Sequence, residues 1–158
     1  MLLRSLLFIP ATSAQSRLER LAEDRATLPL PDAIIVDLED SVPEAAKALA
    51  RAALAAALHT AQGLTGWGTE VYVRVNGVRT PYCVDDLEAL APWVGRGVGV
   101  MISKCVGAED VAGVMERLEM VSGAAVIPLI ETLRACAIAR PRWRLVPRSA
   151  CGTWLWGW

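Results

Sequence analysis

The sequence predicts an α/β fold in which parallel strands alternate with helices. Short apolar runs of strand length alternate with segments of helical periodicity, and turn or capping residues close each run. Five such strand–helix units follow one another, with connections long enough for right-handed crossovers. We therefore expect a (β/α)8 TIM-type barrel of which this chain holds the N-terminal five to six β/α units, because a complete barrel takes about 250 residues.

The individual elements follow from local composition. The second strand is nearly continuously apolar, as expected for a parallel strand that is buried on both faces. The predicted strands are residues 5–10, 33–39, 70–76, 99–105 and 124–130. The predicted helices are residues 13–24, 43–60 with Ser41 as N-cap, 84–90, 108–121 and 131–139, and residues 62–69 are expected to form a loop.

Composition excludes several classes of protein. The 158 residues include 54% hydrophobic ones, which is enough for a buried core. Sixteen Lys and Arg against seventeen Asp and Glu give a net charge of −1, so we expect no nucleic-acid partner. The apolar run after Arg4 is shorter than a signal peptide requires and no run could cross a bilayer, so a buried first strand and no membrane partner are expected.

Four cysteines without a CxxC pair and a single His59 provide no zinc-binding set, which predicts reduced thiols in a cytoplasmic protein.

The end of the chain differs in character from the rest. Residues 140–158 concentrate arginine and tryptophan without any helical or strand period. They indicate either a basic, aromatic interaction tail or a segment read outside its coding frame. We expect a partial barrel domain over residues 1–139 and an aberrant tail over residues 140–158.

Polar and charged residues follow directly after the apolar runs. In a parallel barrel the carboxyl ends of the strands carry the active site, so these residues predict one shared polar site. The alternatives are that Asp40 only caps the next helix and that Glu131, like Asp85 and Asp86, only stabilises a helix N-terminus. The residues at the strand ends are Asp37, Glu39, Asp40, Arg74, Asn76, Ser103, Lys104 and Glu131.

The chemistry of this set favours a hard cation. Several carboxylates without a His or Cys ligand set favour Mg²⁺ over Zn²⁺. Arg74 is suited to bind a substrate carboxylate with two parallel hydrogen bonds, while a metal would polarise a carbonyl and stabilise an enolate.

Four motifs give the sequence a family resemblance. In order and spacing they resemble those of the HpcH/HpaI aldolase and citrate lyase beta-subunit family, the CoA ester lyases, over about residues 4–139. The motifs are RSLLFIP at residues 4–10, DAIIVDLEDSV at 32–42, VRVNG at 73–77 and IPLIET at 127–132.

The resemblance implies a TIM-type barrel that assembles as a homotrimer or hexamer. It implies Mg²⁺-dependent cleavage of a 3-hydroxy-acyl thioester, such as citryl-ACP, citryl-CoA, malyl-CoA or citramalyl-CoA, into an α-keto acid and an acyl thioester. Glu131 would be a metal ligand, and Arg74 would bind the oxoacid carboxylate. Catalytic roles near the metal would fall to Asp37, Glu39 and Asp40, and substrate-binding roles to Phe8, Pro10, Asn76 and Lys104.

Some positions differ from the family pattern. Ala11 replaces a glycine, Ser103 replaces a proline before Lys104, and Cys151-Gly152-Thr153 lies where the second metal carboxylate, an aspartate, is expected. Strands seven and eight, and the acid/base aspartate that follows them, have no counterpart. An alternative is therefore an inactive, truncated or frame-shifted fragment that at most binds a full-length paralogue. A thiol enzyme using Cys105 or Cys136 is disfavoured, because neither lies next to a base.

Overall fold

The computed structural model describes residues 3–119, 125–133 and 136. Within them five strands alternate with helices, and the strands pair in parallel with their neighbours inside each part of the chain, which confirms the predicted α/β class. The strands are β1 (Leu6–Pro10), β2 (Ala33–Asp37), β3 (Glu70–Val75), β4 (Val98–Ile102) and β5 (Val126–Pro128). The helices are α1 (Ala14–Asp24), α2 (Lys47–Thr65), α3 (Cys83–Val94) and α4 (Ala108–Arg117).

The structure divides after Arg74 into two compact units. In the first unit β2 lies between β1 and β3, and all five residues of β2 are buried. This burial agrees with the continuous apolar run in the sequence, because strands of a parallel sheet are covered on both faces. Helices α1 and α2 pack against each other, with Leu18, Leu54 and Leu58 fully buried. The strand register places Pro10, Asp37 and Arg74 at the same level of the sheet.

The segment between β2 and α2 differs from its prediction. β2 ends at Asp37, two residues early, because the Asp37 carboxylate accepts hydrogen bonds from the backbone N–H groups of Glu39 and Ser41 and so turns the chain. The expectation that Ser41 caps the following helix is wrong. A short 3-10 turn (Glu44–Ala46) comes first, and α2 begins at Lys47 without a side-chain cap.

Helix α2 also continues beyond its predicted end. It runs to Thr65, so the first four residues of the predicted loop 62–69 are helical. Ala61 and Leu64 extend its buried face, and this packing outweighs the weak helix propensity of Gly63. The remaining residues turn into β3 through Gly68, whose φ of +88° suits a glycine.

In the second unit β4 and β5 pair in parallel, and their regular portions are shorter than predicted. Helix α3 is longer than predicted, because the buried side chain of Trp93 extends its packed face past Pro92. The predicted end of α4 and most of the predicted helix 131–139 lie outside the described residues, as does the tail 140–158. In the described part of the chain no helix combines the length and the apolar character needed to cross a membrane.

Candidate active site

The first unit holds a buried ion pair at the carboxyl end of its strands. Arg74 and Asp37 are register partners on neighbouring strands, and both are at most 8% exposed. Arg74 Nε lies 2.7 Å from Asp37 Oδ1, and Arg74 Nη2 lies 2.7 Å from Asp37 Oδ2. This bidentate geometry fixes the plane of the guanidinium group more strongly than a single contact would.

Asp37 is fully engaged by its neighbours. Besides the two bonds from Arg74, its carboxylate accepts the N–H of Glu39 at 2.8 Å and the N–H of Ser41 at 3.2 Å. Burial alone would raise the pKa of Asp37. The hydrogen bonds from Arg74, Ser41 and Glu39, together with the positive charge of Arg74, outweigh burial and hold that pKa below its ordinary value. Asp37 is therefore ionised and holds Arg74 in position.

The remaining terminal nitrogen of Arg74 faces the other two predicted carboxylates. Arg74 Nη1 lies 3.2 Å from Asp40 Oδ2 and 3.4 Å from Glu39 Oε2. The Asp40 side chain is 59% exposed, whereas Glu39 is buried. The Phe8 ring lies 5.4 Å from the guanidinium carbon and contributes a cation–π contact. Arg74 therefore keeps one edge that a solvent-borne carboxylate can reach by displacing Asp40.

Lys47 supports this cluster and was missed by sequence reasoning. Its buried ammonium group donates hydrogen bonds to the carbonyls of Leu38 and Glu39, each at 2.8 Å. These two bonds fix the turn that carries the acidic residues. A lysine in the first turn of an alanine-rich helix gives no sequence signal for such a contact, because it is ordinarily solvated.

The second unit holds Asn76 just after β3. Its backbone N–H and its Nδ2 both donate to Asp86 Oδ2, at 2.9 and 2.6 Å. Asp86 is fully buried at the start of α3. The interpretation of Asp86 as only a partner of the helix dipole is therefore incomplete, because it also fixes the orientation of the Asn76 amide.

Glu131 lies beyond the end of β5 and contacts the loop after β4. Its Oε1 accepts a hydrogen bond from the backbone N–H of Lys104 at 2.8 Å. Both residues are exposed. The Lys104–Glu131 pair thus presents a carboxylate that is anchored through one oxygen.

The predicted site residues therefore lie in separate groups. Within the first unit the structure brings together Phe8, Asp37, Glu39, Asp40 and Arg74, with half-buried Pro10 level with Asp37 in the sheet. Within the second unit it brings Lys104 to Glu131 and Asn76 to Asp86. The roles of these residues in catalysis and binding stay predictions.

Two buried thiols, those of Cys83 and Cys105, offer little nucleophilic character. Burial, with nearby acidic residues adding to it, raises the pKa of Cys83 and of Cys105 to about 11. A thiol with such a pKa is almost entirely protonated near neutral pH, so Cys105 is unsuited to act as a nucleophile.

Glu131 stands at the position for which the sequence predicts a magnesium ligand. Residues 3–119, 125–133 and 136 contain no group of three or more His, Cys, Asp or Glu side chains arranged around a metal position. Mg²⁺ nevertheless binds commonly through one or two carboxylates, with waters and substrate oxygens completing its shell. Glu131 is exposed and provides one such hard oxygen ligand.

Charged residues at the carboxyl ends of parallel strands occupy the place where barrel-type enzymes carry their active sites. The family model described as HpcH/HpaI aldolase/citrate lyase matches residues 4–134, and the chain belongs to this family. The citrate lyase subunit beta-like protein of Deinococcus radiodurans is 39% identical over 121 residues, which are 68% of this chain and 36% of that protein.

Solved structures give the same result. The protein CitE from Mycobacterium tuberculosis in complex with magnesium, acetoacetate and coenzyme A has a TM-score of 0.61 at 32% identity, over 96% of this chain and 47% of that chain. The citrate lyase beta subunit of the same organism, complexed with oxaloacetate and magnesium, has a TM-score of 0.60 at 31% identity. The match covers 96% of this chain and 56% of that chain. RipC from Yersinia pestis has a TM-score of 0.60 at 26% identity, over 98% of this chain and 58% of that chain. The chain thus spans about half the length of these structures.

Proposed function

We propose that this protein is a Mg²⁺-dependent carbon–carbon lyase that cleaves a 3-hydroxy-acyl thioester into an α-keto acid and an acyl thioester. The observation that carries this proposal is the buried Arg74, held bidentately by Asp37 with its Nη1 facing an exposed carboxylate. A cation fixed in this way suits a carboxylate-bearing substrate. The similar CitE structures, which contain magnesium with coenzyme A or with small oxoacids, support the same class of substrate.

Arg74 is proposed to bind the oxoacid carboxylate through its Nη1 edge. Asp37 acts as a positioning residue, because all of its hydrogen bonds are made within the protein. Glu39 and Asp40 balance the remaining positive charge and lie where the substrate carboxylate would arrive. Pre-positioned charge of this kind lowers an activation barrier because it need not reorganise during the reaction.

Glu131 is proposed to hold the magnesium ion. When bound, Mg²⁺ supplies Lewis-acid polarisation of the substrate oxygens and stabilises enolate charge. Phe8 and Pro10 are proposed to contact the thioester, and Asn76 and Lys104 to bind substrate. The cleaved substrate loses its hydroxyl proton as the α-keto acid forms, and the enolate of the departing acyl thioester takes up a proton.

Substrate, assembly and domain extent complete the proposal. The thioester is carried on CoA or on an acyl carrier protein, with citryl, malyl and citramalyl groups as candidates. We propose a homotrimer or hexamer, a cytoplasmic location, and no nucleic-acid partner. Residues 1–139 are proposed as a partial barrel domain, followed by a separate segment at 140–158.

The test is release of an α-keto acid from citryl-CoA and malyl-CoA by the purified chain, with Mg²⁺ and with EDTA. We expect turnover that EDTA abolishes and that Arg74→Lys lowers by about two orders of magnitude, because lysine cannot form the bidentate contact. Arg20→Lys, on the exposed face of α1, is the matched control and keeps full turnover. Turnover that is unaffected by Arg74→Lys contradicts the proposed role of Arg74.

The second candidate function is an inactive partner of a longer family member. It is favoured by β1, which pairs only with β2 among the described strands and exposes Leu7 and Phe8. Such an edge can accept another strand. A folded chain that releases no α-keto acid under any metal condition, but co-elutes with a full-length relative, would establish this function instead.

A further inference from the structure

The end of β4 departs from the regular ladder with β5. Leu129 donates its N–H to the carbonyl of Ile102 at 2.9 Å, and Cys105 donates its N–H to the carbonyl of Leu129 at 3.0 Å. In a regular parallel ladder, the two residues of one strand that bond to the same partner residue are two positions apart. Ile102 and Cys105, which both bond to Leu129, are three positions apart. The segment Ser103–Lys104 therefore forms a β-bulge with one extra residue, and bulges commonly redirect groups beside active sites.

The bulge directs one backbone donor toward Glu131. Lys104 has a φ of +52°, in the left-handed region that non-glycine residues rarely adopt. In this conformation its N–H leaves the ladder and donates to Glu131 Oε1 at 2.8 Å. Left-handed non-glycine residues concentrate at functional sites, where surrounding structure holds them in place.

A glycine on the neighbouring loop makes room for the bulge. A Cβ atom at Gly77 would lie 3.3 Å from the carbonyl oxygen of Ser103 and 3.6 Å from Lys104 Cβ. Ser103 itself is fully buried. The loop at Gly77 therefore passes close to the bulge, and a side chain at this position would crowd the Ser103 carbonyl.

We propose that the Ser103–Lys104 bulge is a positioning device for Glu131, acting through the Lys104 backbone N–H and not through the Lys104 ammonium group. The bond to Oε1 fixes the carboxylate and leaves Oε2 to bind a divalent cation. Lys104 is then a positioning residue for the metal ligand. This inference rests on the proposed role of Glu131 in binding Mg²⁺.

Three substitutions at Lys104 separate the backbone from the side chain. Lys104→Gly, Lys104→Ala and Lys104→Val all remove the ammonium group, but they differ in how readily they adopt a positive φ. The dissociation constant of Mn²⁺, used alone as a probe and followed by electron paramagnetic resonance, is expected to stay within about twofold of wild type for glycine. It should rise modestly for alanine and by about fivefold or more for valine.

Glu119 is the matched control. It is the other non-glycine residue with a positive φ, +47°, in the described part of the chain. Glu119→Val imposes a similar backbone cost just beyond α4 and also removes a charge. Thermal unfolding should report destabilisation for both valine variants, whereas Mn²⁺ affinity should fall only for Lys104→Val.

A measurement without metal tests the hydrogen bond itself. Amide hydrogen exchange at Lys104 should become at least about tenfold faster in Glu131→Ala, because the acceptor is removed. Unchanged exchange, or equal losses of Mn²⁺ affinity in all three Lys104 variants, would overturn the positioning role. A wild-type chain that binds no Mn²⁺ overturns the proposed magnesium function, while the exchange rate still decides whether the bulge holds Glu131.

Discussion

At the scale of single residues, the Asp37–Arg74 pair links stability to pH. Replacing Asp37 by alanine leaves the buried guanidinium of Arg74 without its bidentate partner, and removing one member of such a pair costs about 3–5 kcal/mol. Urea unfolding of Asp37→Ala at pH 7 should show this loss of unfolding free energy. The control Asp24→Ala, which removes an exposed carboxylate, should change the free energy by less than about 0.5 kcal/mol.

The same pair predicts the direction of the pH dependence. The pKa of Asp37 is lower in the folded state than its ordinary value of 3.8, so its stabilising contribution is present above that value. It is lost as the pH falls below 3.8 and through the folded-state pKa. The difference between wild type and Asp37→Ala should therefore be constant from pH 7 to about pH 5 and shrink below about pH 4. A difference that grows in acid contradicts this assignment.

Removing the charge of Asp40 is expected to tighten the binding of a substrate carboxylate. Its exposed carboxylate holds Arg74 Nη1 at 3.2 Å and competes with an incoming substrate carboxylate. Asp40→Asn should therefore bind pyruvate, in the presence of Mg²⁺, about two- to fivefold more tightly, as expected for an exposed ion pair. Isothermal titration calorimetry measures this change, and Asp24→Asn should bind as wild type does. Weaker binding to Asp40→Asn would show that Asp40 contacts the substrate favourably.

The candidate site could be predicted in part because strand ends carry a recognisable pattern. Charged residues directly after apolar runs identified Arg74 and its acidic neighbours, and the structure brings these together. The contacts that Lys47 and Asp86 make were not predicted, since each side chain reaches a residue eight to ten positions away along the chain and no fixed sequence spacing marks such a contact. Only the folded backbone shows that they are buried.

At the scale of elements, two glycines near the end of α2 should respond oppositely to alanine. Gly63 lies in the helix with open space where a Cβ would stand, whereas Gly68 has a φ of +88°. Gly63→Ala should raise the free energy of unfolding by about 0.5–1 kcal/mol, and Gly68→Ala should lower it by about 1 kcal/mol. Thermal unfolding measures both changes in the free energy of unfolding. A Gly63→Ala variant that is less stable than wild type would argue against a helix that runs to Thr65.

The elements were predicted well where burial produces a strong pattern and less well at their ends. The apolar run of β2 predicted its position, but its end depends on how the Asp37 carboxylate turns the chain. The glycines of residues 62–69 predict a loop there, whereas the packing of Leu64 continues α2 to Thr65. Tertiary contacts of this kind have no local signature.

At the scale of the whole molecule, the edge of the sheet predicts self-association. Among the described strands β1 has a partner on one side only, and Leu7 on it is 37% exposed near Arg17 and Arg20. An unpaired, apolar edge promotes pairing between chains, and a charge on it opposes pairing. Leu7→Glu, which complements the two arginines, should raise the protein concentration at which light scattering increases.

Leu28→Glu provides the comparison for this experiment. Leu28 is 58% exposed but lies outside the sheet, so its replacement adds the same charge without altering the edge. It should scatter light as the wild-type chain does. Equal effects of the two substitutions would assign the association to net charge instead of the β1 edge.

The register that places Pro10, Asp37 and Arg74 at the same level of the sheet also bears on the order in which contacts form during folding. Asp37 and Arg74 are 37 residues apart, and two helical crossovers must close before the strands that carry Pro10 and Arg74 lie on either side of Asp37. Closing such loops costs conformational entropy before the stabilising contacts have formed, and non-local parallel pairings therefore form slowly. The bidentate pair therefore forms only once the crossover between β2 and β3 has closed, and Asp37 of a nascent chain has no guanidinium partner until Arg74 has left the ribosome.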